Sequence, residues 1–239
     1  MTVTPTVLLV HGAFTETTTW AGVVGELRRR AVDAVALPTP LGGLRTDAAY
    51  VASRAAGVDG AVLLVGEGYG GAVISAAAAG APNVRGLVFV AAFAPDEGES
   101  CIDLVRASGD LRGLDALLPT VVRHGGGPAT VEASIRREAY PALVAADLPE
   151  DVAQTAAATQ RTVLTAALEE PAPPPAWRTL PSWFVVTGGD RLVPPAAQRA
   201  MAQRAGAEVT ELDASHAVAR SRPSDVADVI ARAAARSAR

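Results

Sequence analysis

The sequence contains no lysine, so all 21 of its basic residues are arginine. This absence excludes reactions that need a lysine amine, such as Schiff-base formation with a carbonyl substrate, and also the P-loop, which binds nucleotide phosphates through a lysine. With a formal net charge of −4, the chain also lacks the basic character that nucleic-acid binding requires. We therefore expect no nucleic-acid partner.

Cysteine and histidine are scarce as well. Cys101 is the single cysteine, so the chain can form no internal disulfide, and no basic residue directly beside it would activate its thiol. The three histidines, His11, His124 and His216, do not have the short spacing of paired metal ligands. We expect no metal and no other cofactor.

Long hydrophobic runs are also absent. The longest runs, such as residues 61–65 and 87–94, fall well short of the ~20 residues that a membrane-spanning helix requires. The first residues carry neither the basic segment nor the cleavage site of a secretion signal. Hydrophobic residues make up 49% of the chain and charged residues 19%, which is typical of a compact globular protein. We expect residues 1–239 to form a single cytoplasmic domain that is a monomer or a homodimer and has no membrane partner.

What the chain does contain is a regular alternation of strand-like and helix-like segments. Buried strands are predicted for apolar runs at residues 6–10, 32–37, 60–65, 84–93, 182–186 and 208–212. Helices are predicted between and after them, at about residues 20–30, 46–56, 72–79, 195–204 and 223–236. This alternation is typical of a parallel α/β sheet with right-handed crossovers.

The alternation is interrupted after the strand that ends near Phe93. Residues 95–178, called the insertion below, are helical or irregular in pattern. Helices are predicted there at residues 131–138, 150–160 and 163–169, followed by the proline-rich stretch PAPPPAW. We therefore expect an insertion of helices within the single domain.

Three turns with unusual residues follow the carboxyl ends of predicted strands, where open α/β sheets build their sites. They are HGAF at 11–14, GEGYGG at 66–71, and the pair formed by GGDRLVPP at 188–195 and DASHAV at 213–218. Together these motifs resemble the α/β-hydrolase superfamily, in particular its branch of small esterases and hydroxynitrile-lyase-like proteins. The resemblance covers the whole chain. It implies a three-layer α/β sandwich of about six mostly parallel strands, with the insertion as a helical cap over the site.

In that family a sharp G-x-S-x-G turn, the nucleophile elbow, carries the catalytic serine, and an acid and a histidine follow it in the chain. This sequence reads GEGYG, so Gly68 stands at the nucleophile position, whereas Asp190 and His216 follow in the family's order. The resemblance implies that Asp190 orients His216 as an acid/base pair. It also implies that the amides of Ala13 and Tyr69 form an oxyanion hole, because these donors belong to the backbone and do not need the serine.

Some residues near these motifs allow more than one interpretation. Asp213 is an alternative partner for His216, and Asp190 could instead cap the helix that follows it or pair with Arg191. Glu67 stands where the family commonly has a histidine, and we expect it to point away from the pocket.

The residues expected to contact a substrate are Phe14, Tyr69 and His124. We expect His11 to fix the backbone of its own turn through a hydrogen bond. The insertion is rich in alanine and poor in aromatic residues, which suits a small to medium uncharged organic molecule. The partner we expect is therefore a small-molecule substrate.

The main prediction is an enzyme that acts on a small apolar carbonyl or ester-like metabolite by acid/base catalysis, using His216 with Asp190 and no covalent nucleophile. Lyase, cyclisation, isomerisation and water-mediated hydrolysis reactions all fit such a site. One alternative is a serine ester hydrolase inactivated by a serine-to-glycine change at position 68. Another is a non-catalytic protein that binds a ligand in the same pocket.

A minor alternative is an NAD(P)-dependent reductase. Gly66, Gly68 and Gly71 match the dinucleotide motif G-x-G-x-x-G between a strand and a helix, and Asp96 could bind a ribose. Two predicted strands precede this motif, however, whereas the fingerprint normally belongs to the first strand-helix-strand unit.

Overall fold

Residues 4–238 are described by the computed structural model, and a six-stranded sheet runs through their centre. The strands of this part of the chain are β1 (Thr6–Val10), β2 (Ala34–Leu37), β3 (Val62–Glu67), β4 (Val84–Val90), β5 (Leu117–Arg123), β6 (Ala129–Ile135), β7 (Val163–Leu164), β8 (Ser182–Thr187) and β9 (Glu208–Leu212). The central sheet has the order β2-β1-β3-β4-β8-β9, and every neighbouring pair in it is parallel.

Helices connect and cover these strands. In chain order they are α1 (Ala21–Arg29), α2 (Leu44–Ala56), α3 (Tyr69–Ala78), α4 (Cys101–Ser108), α5 (Arg112–Asp115), α6 (Tyr140–Val144), α7 (Glu150–Thr159), α8 (Thr165–Glu169), α9 (Pro195–Arg204), α10 (Val218–Ser221) and α11 (Pro223–Ser237). Short 3-10 turns lie at Thr17–Trp20 and Ala176–Arg178.

The hydrophobic core lies on both faces of the central sheet. In β1, Leu8 and Val10 pack on the side of α2, α3 and α9, whereas Val7 and Leu9 pack on the side of α1 and α11. A parallel strand that is buried on both faces needs a continuous apolar sequence, and TVLLV provides one. The predicted three-layer α/β sandwich with six parallel strands is confirmed.

The turn between β3 and α3 is tighter than predicted. The strand predicted at 60–65 continues to Glu67, and the helix predicted at 72–79 already begins at Tyr69. A single residue, Gly68, therefore connects the two elements. The glycines of GEGYGG had suggested a longer interruption, since glycine weakens both strands and helices.

Close packing explains why these glycines do not break the elements. A Cβ on Gly66 would overlap the backbone of Gly70, and a Cβ on Gly71 would overlap the carbonyl of Phe93. A Cβ on Gly70 would lie 2.5 Å from the carbonyl oxygen of Val10. The start of α3 is thus pressed against β1, β3 and the end of β4.

The insertion, predicted as helical or irregular, also contains strands. Helices α4 to α8 form part of it, but β5, β6 and β7 form an antiparallel sheet in that order. The helix predicted at 131–138 is wrong, because most of this segment belongs to β6. β-branched residues flank a glycine-rich turn here: Val121 lies opposite Val131, and Gly126 has φ 79°. This combination favours a β-hairpin over a helix.

The other helices predicted in the insertion are close to those observed. The segment 150–160 corresponds to α7, and the segment 163–169 corresponds to the short strand β7 followed by α8. Between residues 4 and 238, no helix is both long enough and apolar enough to cross a membrane.

Candidate active site

Gly68 is the apex of the turn between β3 and α3, with φ 52° and ψ −121°. Residues with a Cβ are strained in this backbone conformation, whereas glycine adopts it readily. A Cβ built on Gly68 would lie 3.0 Å from Nε2 and 3.3 Å from Cε1 of His216. The imidazole therefore faces the place that a side chain at position 68 would occupy.

His216 and Asp190 are brought together by neighbouring strands. Asp190 follows β8 and His216 follows β9, so both loops lie at the carboxyl edge of the sheet. Nδ1 of His216 donates a hydrogen bond to Oδ2 of Asp190 at 2.8 Å, and both side chains are buried. Because the carboxylate accepts from Nδ1, the free lone pair of the neutral ring is on Nε2, the atom that faces Gly68.

The Asp190 carboxylate is held by four further donors. The amides of Leu192 and Val193 donate to Oδ1 at 2.8 and 2.9 Å, and the side chains of Thr187 and Gln198 donate to Oδ2 at 3.0 and 2.9 Å. These bonds fix the carboxylate and, through it, the plane of the imidazole. Sequence reasoning missed Thr187 and Gln198, although each is a buried polar residue in an otherwise apolar strand or helix face.

The alternative assignments for this pair can now be decided by geometry. Asp213 is exposed, and it is Asp190 that pairs with His216. Asp190 does cap the residues after it through two amides, so capping and pairing occur together. The exposed Arg191 donates to the carbonyl of Ala142 at 3.4 Å.

The electrostatic surroundings of His216 favour its charged form. Burial alone lowers the pKa of the imidazole, but the charge of Asp190, the hydrogen bond to it and the charge of Glu67 together outweigh this effect. The pKa of His216 is therefore raised above its ordinary value of 6.5. A base with a raised pKa is a stronger proton acceptor.

The two residues predicted to supply the oxyanion-hole amides lie at one pocket. Ala13 follows β1 in the HGAF turn, and Tyr69 is the first residue of α3. Neither amide donates a hydrogen bond to another group within residues 4–238. Both residues line one pocket together with Gly68 and His216. Free amides beside the amino-terminal end of a helix favour negative charge.

This pocket, called the main pocket below, is a small cavity of about 40 Å³. The elbow and the His216 loop form one side of it, and residues of α4, α5 and α8 from the insertion form the other. Apart from His216, the side chains that line it are apolar or neutral, among them Phe14, Phe93, Ile102, Val105, Leu114 and Leu168. A pocket of this character suits an uncharged, apolar molecule.

Two of the three residues predicted to contact a substrate line the main pocket. Phe14 does so from a left-handed backbone conformation with φ 64°. Tyr69 does so as well, but its hydroxyl donates to Oδ2 of Asp47 at 2.8 Å and is thus used within the protein. The structure does not bring His124 to this pocket: the β5–β6 turn carries it outward, where its Nε2 contacts Oγ1 of Thr130 at 3.0 Å.

His11 lies next to the elbow and fixes the local backbone, in agreement with the expectation. The amide of Thr39 donates to its Nε2 at 3.1 Å, so Nδ1 carries the proton and donates to the carbonyl of Gly12 at 2.9 Å. Burial lowers the pKa of His11, which keeps the ring neutral.

Cys101 lines the main pocket, a position that its sequence context did not indicate. It is the first residue of α4, whose amino-terminal end is capped by Ser100 and Asp103. Burial raises the pKa of the Cys101 thiol, so the thiol stays protonated. Its role is that of a small apolar wall residue.

The structure also decides against a dinucleotide site at the glycine motif. Gly66 and Gly71 face neighbouring backbone at close range, so neither of these glycines can contact a pyrophosphate. Asp96 pairs with Arg178 at 2.5 Å on the surface. In residues 4–238 no three or more His, Cys, Asp or Glu side chains cluster in a way that could hold a metal ion.

Comparison with known structures shows extensive similarity of fold. Polyneuridine aldehyde esterase shares 16% sequence identity with a TM-score of 0.80, over 95% of this chain and 97% of that one. Tomato methylketone synthase I complexed with 2-tridecanone shares 18% identity with a TM-score of 0.80, over 98% of this chain and 99% of that one. A pyrethroid hydrolase from Sphingobium faniae JZ-2 shares 25% identity with a TM-score of 0.79, over 97% of each chain.

A comparison with curated proteins gave no match. The family model described as the alpha/beta hydrolase family, in contrast, matches residues 7–229, which is nearly the whole sequence. The match includes the HGAF turn, the GEGYGG elbow and the loops of Asp190 and His216. The chain therefore belongs to the alpha/beta hydrolase family.

Proposed function

We propose that this chain is an enzyme that acts on a small apolar carbonyl or ester-like metabolite by general acid/base catalysis. His216 is the base, Asp190 orients it, and the amides of Ala13 and Tyr69 form the oxyanion hole. No covalent intermediate forms, because Gly68 offers no nucleophile.

The observation that carries this proposal is the distance between His216 and the apex of the elbow. Nε2 of His216 would lie only 3.0 Å from a Cβ on Gly68, which is closer than ordinary van der Waals contact. A side chain at this position would require the imidazole to shift by a few tenths of an ångström, whereas glycine leaves room for a water or a substrate atom beside Nε2.

The reaction follows from this arrangement. Nε2 of His216 accepts a proton either from a water that attacks the carbonyl carbon or from the carbon next to the carbonyl. The oxyanion or enolate that forms is stabilised by the Ala13 and Tyr69 amides, a type of interaction worth about 10²- to 10³-fold in kcat for each donor. Asp190 stabilises the imidazolium without taking its proton. The imidazolium then returns the proton to the leaving group or to the product carbon.

The shape and lining of the main pocket support a substrate with an apolar chain. The insertion, residues 95–178, acts as a cap that excludes water, which strengthens the electrostatic interactions inside. The printed names of the structural neighbours support such substrates: one is an esterase and one a pyrethroid hydrolase by name. Methylketone synthase I was solved with 2-tridecanone, an uncharged ketone, and in a variant form with β-ketoheptanoate.

The test is turnover of two uncharged panels, p-nitrophenyl esters and β-keto esters with short to medium alkyl chains, by the unchanged protein and by His216→Ala. We expect turnover of at least one panel member, a loss of about 10²-fold or more in His216→Ala, and no covalent adduct by intact-protein mass spectrometry. A stable acyl adduct in the unchanged protein would contradict the proposal.

Gly68→Ser separates this proposal from an inactivated serine hydrolase. If the serine variant gains ester hydrolysis by several orders of magnitude, and a further His216→Ala change removes the gain, the chain is a hydrolase that has lost its nucleophile. If the serine variant gains nothing, the pocket is built for non-covalent chemistry. A protein that binds panel compounds equally well with and without His216, and turns over none of them, is a binding protein.

A further inference from the structure

A second cavity, called the second chamber below, lies beside His216 and has a volume of about 30 Å³. Phe14 and His216 line both this chamber and the main pocket, so these two side chains form the wall between them. The lining of the second chamber is more polar than that of the main pocket and includes the side chains of Thr15, Thr19, Glu67, Tyr140 and Gln160.

Glu67 is completely buried at this chamber. The hydroxyls of Thr19 and Thr15 approach its carboxylate at 3.4 and 3.5 Å, distances at the long limit of hydrogen bonding. Among residues 4–238 no arginine forms an ion pair with it. A buried carboxylate with so few donors is costly to fold, which suggests that it interacts with a charge that arises during function.

The charged and titratable groups around the chamber show which charge this is. Arg220 and Glu16 lie at the exposed rim, and the hydroxyl of Tyr140 stays protonated because burial and the charge of Glu67 both raise its pKa. Asp190 contacts His216 at Nδ1, outside the chamber. The cationic group that is buried together with Glu67 is therefore the imidazolium of His216.

The two groups influence each other's ionisation. Burial raises the pKa of Glu67 overall, and the charge of His216, the hydroxyl of Thr19, the amide of Gly12 and the charge of Arg220 act against that increase. Glu67 in turn adds to the effect of Asp190 in raising the pKa of His216. Water can donate hydrogen bonds to the remaining lone pairs of the Glu67 carboxylate, since the chamber has both the room and the polar partners that buried water needs.

We propose that Glu67 is a positioning residue for His216, whose carboxylate, solvated by water in the second chamber, stabilises the imidazolium from outside the substrate pocket. This inference rests on the proposed role of His216 as the proton acceptor. Glu67 itself touches no substrate, because the Phe14–His216 wall separates it from the main pocket. The apolar pocket can then stay dry while the charge of the base is stabilised from the neighbouring chamber.

The test is the pKa of His216 itself, measured by imidazole NMR on the full chain without substrate. The chain has only three histidines, and His216→Ala identifies the signal of interest. We expect Glu67→Gln to lower the pKa of His216 by about one unit, as the loss of a nearby opposite charge should, and to leave the signals of His11 and His124 unchanged. An unchanged pKa of His216 in this variant would overturn the proposal.

Two matched variants test whether the effect of Glu67→Gln comes from the loss of the charge at position 67. Glu16→Gln removes an exposed carboxylate from the rim of the same chamber, and we expect it to leave the pKa of His216 unchanged. Glu67→Asp keeps the charge and should retain most of the increase in that pKa. If Glu67→Gln does not fold, carboxyl ¹³C NMR of the unchanged protein decides: a Glu67 that is protonated throughout the range in which His216 is charged overturns the proposal.

Activity then separates this inference from the proposed function. With a panel substrate, the acid limb of the kcat/KM profile of Glu67→Gln should move to lower pH by the same amount as the NMR pKa. A shift of the NMR pKa in a protein whose turnover does not depend on His216 would support the coupling of Glu67 and His216 and contradict the proposed function.

Discussion

Asp147, in the insertion, accepts two hydrogen bonds from Ser215, the residue directly before His216: one from the amide at 3.0 Å and one from the hydroxyl. On the other side of His216, the amide of Ala217 donates to the carbonyl of Val144 at 2.8 Å. The His216 loop is thus attached on both sides to the segment that joins α6 to α7. The insertion contributes to the site by holding the imidazole in place as well as by covering the main pocket.

Asp147→Ala should lower kcat by about tenfold or more with a smaller effect on KM, because a small displacement of the His216 ring impairs proton transfer more than substrate binding. Since Asp147 is partly exposed, we expect a loss of only about 1 kcal/mol in the free energy of unfolding. Steady-state kinetics and urea denaturation measure the two effects. Asp151→Ala, which removes an exposed carboxylate from α7, is the control and should change neither quantity.

The hydrogen bonds to Asp147 also predict a pH dependence of stability. Burial raises the pKa of Asp147, but the two bonds from Ser215, together with smaller effects of nearby donors, outweigh it, and the pKa lies below its ordinary value of 3.8. A group with a lowered pKa contributes stability above its ordinary pKa and loses this contribution as the pH falls through its folded value. The stability difference between the unchanged protein and Asp147→Ala should therefore shrink in acid. A difference that stays constant down to about pH 2 would contradict this.

The rate of the reaction should rise with pH through the raised pKa of His216, because only the neutral imidazole accepts a proton. The acid limb of kcat/KM is therefore expected above pH 6.5. The contribution of this ionisation to stability has the opposite dependence: it is complete below the ordinary pKa and is lost as the pH rises through the folded value. Asp190→Asn should move the acid limb to lower pH. An acid limb at or below pH 6.5 in the unchanged protein would show that Asp190 and Glu67 do not raise the pKa of His216 by more than burial lowers it.

Gly68→Ala should reduce the free energy of unfolding by about 1–3 kcal/mol, because alanine is strained at φ 52° and its Cβ would press on the His216 ring. Turnover should fall as well, since the added methyl group fills the space beside Nε2. Gly98→Ala is the control for the backbone strain alone, because Gly98 also has a positive φ, 85°, but a Cβ there would meet no atom within 4 Å. We expect Gly98→Ala to leave turnover unchanged. Equal turnover in the unchanged protein and in Gly68→Ala would contradict a role for this space.

Tyr69→Phe tests the role of the Tyr69 hydroxyl independently of the Tyr69 backbone amide. The change removes the donor to Asp47 and should cost about 1–3 kcal/mol of stability, because the buried carboxylate loses a hydrogen bond. The amide stays in place, so kcat/KM with a panel substrate should change by less than about threefold. A much larger loss of kcat/KM would mean that the hydroxyl, and not only the backbone, takes part in the reaction.

Much of the fold is encoded in local patterns that can be recognised without a structure. The ranges predicted for α9 and β9, residues 195–204 and 208–212, coincide with those observed. A proline begins the helix, and the β-branched residues Val209 and Thr210 favour the strand. The order of Gly68, Asp190 and His216 likewise indicated which loops meet, since parallel strands bring their carboxyl ends to one edge of the sheet.

The features that sequence reasoning missed depend on contacts between distant residues. β6 is stabilised by its pairing with β5 and β7, and this pairing overrides a pattern that can also be interpreted as helical. The same hairpin carries His124 away from the main pocket. Two positions follow only from how the insertion folds back over the sheet. They are the position of Cys101 in the pocket wall and the position of Glu67 in the second chamber.

The close packing of the elbow has a consequence for how such a site can evolve. Gly66, Gly70 and Gly71 are required by backbone contacts, so a substitution at any of them disturbs the joint between sheet and helix. Position 68, in contrast, projects into the pocket and is constrained only by its own backbone conformation and by one movable ring. Replacement of this single residue can therefore change the chemical group at the apex of the elbow while the packing of the neighbouring strands and helix stays the same.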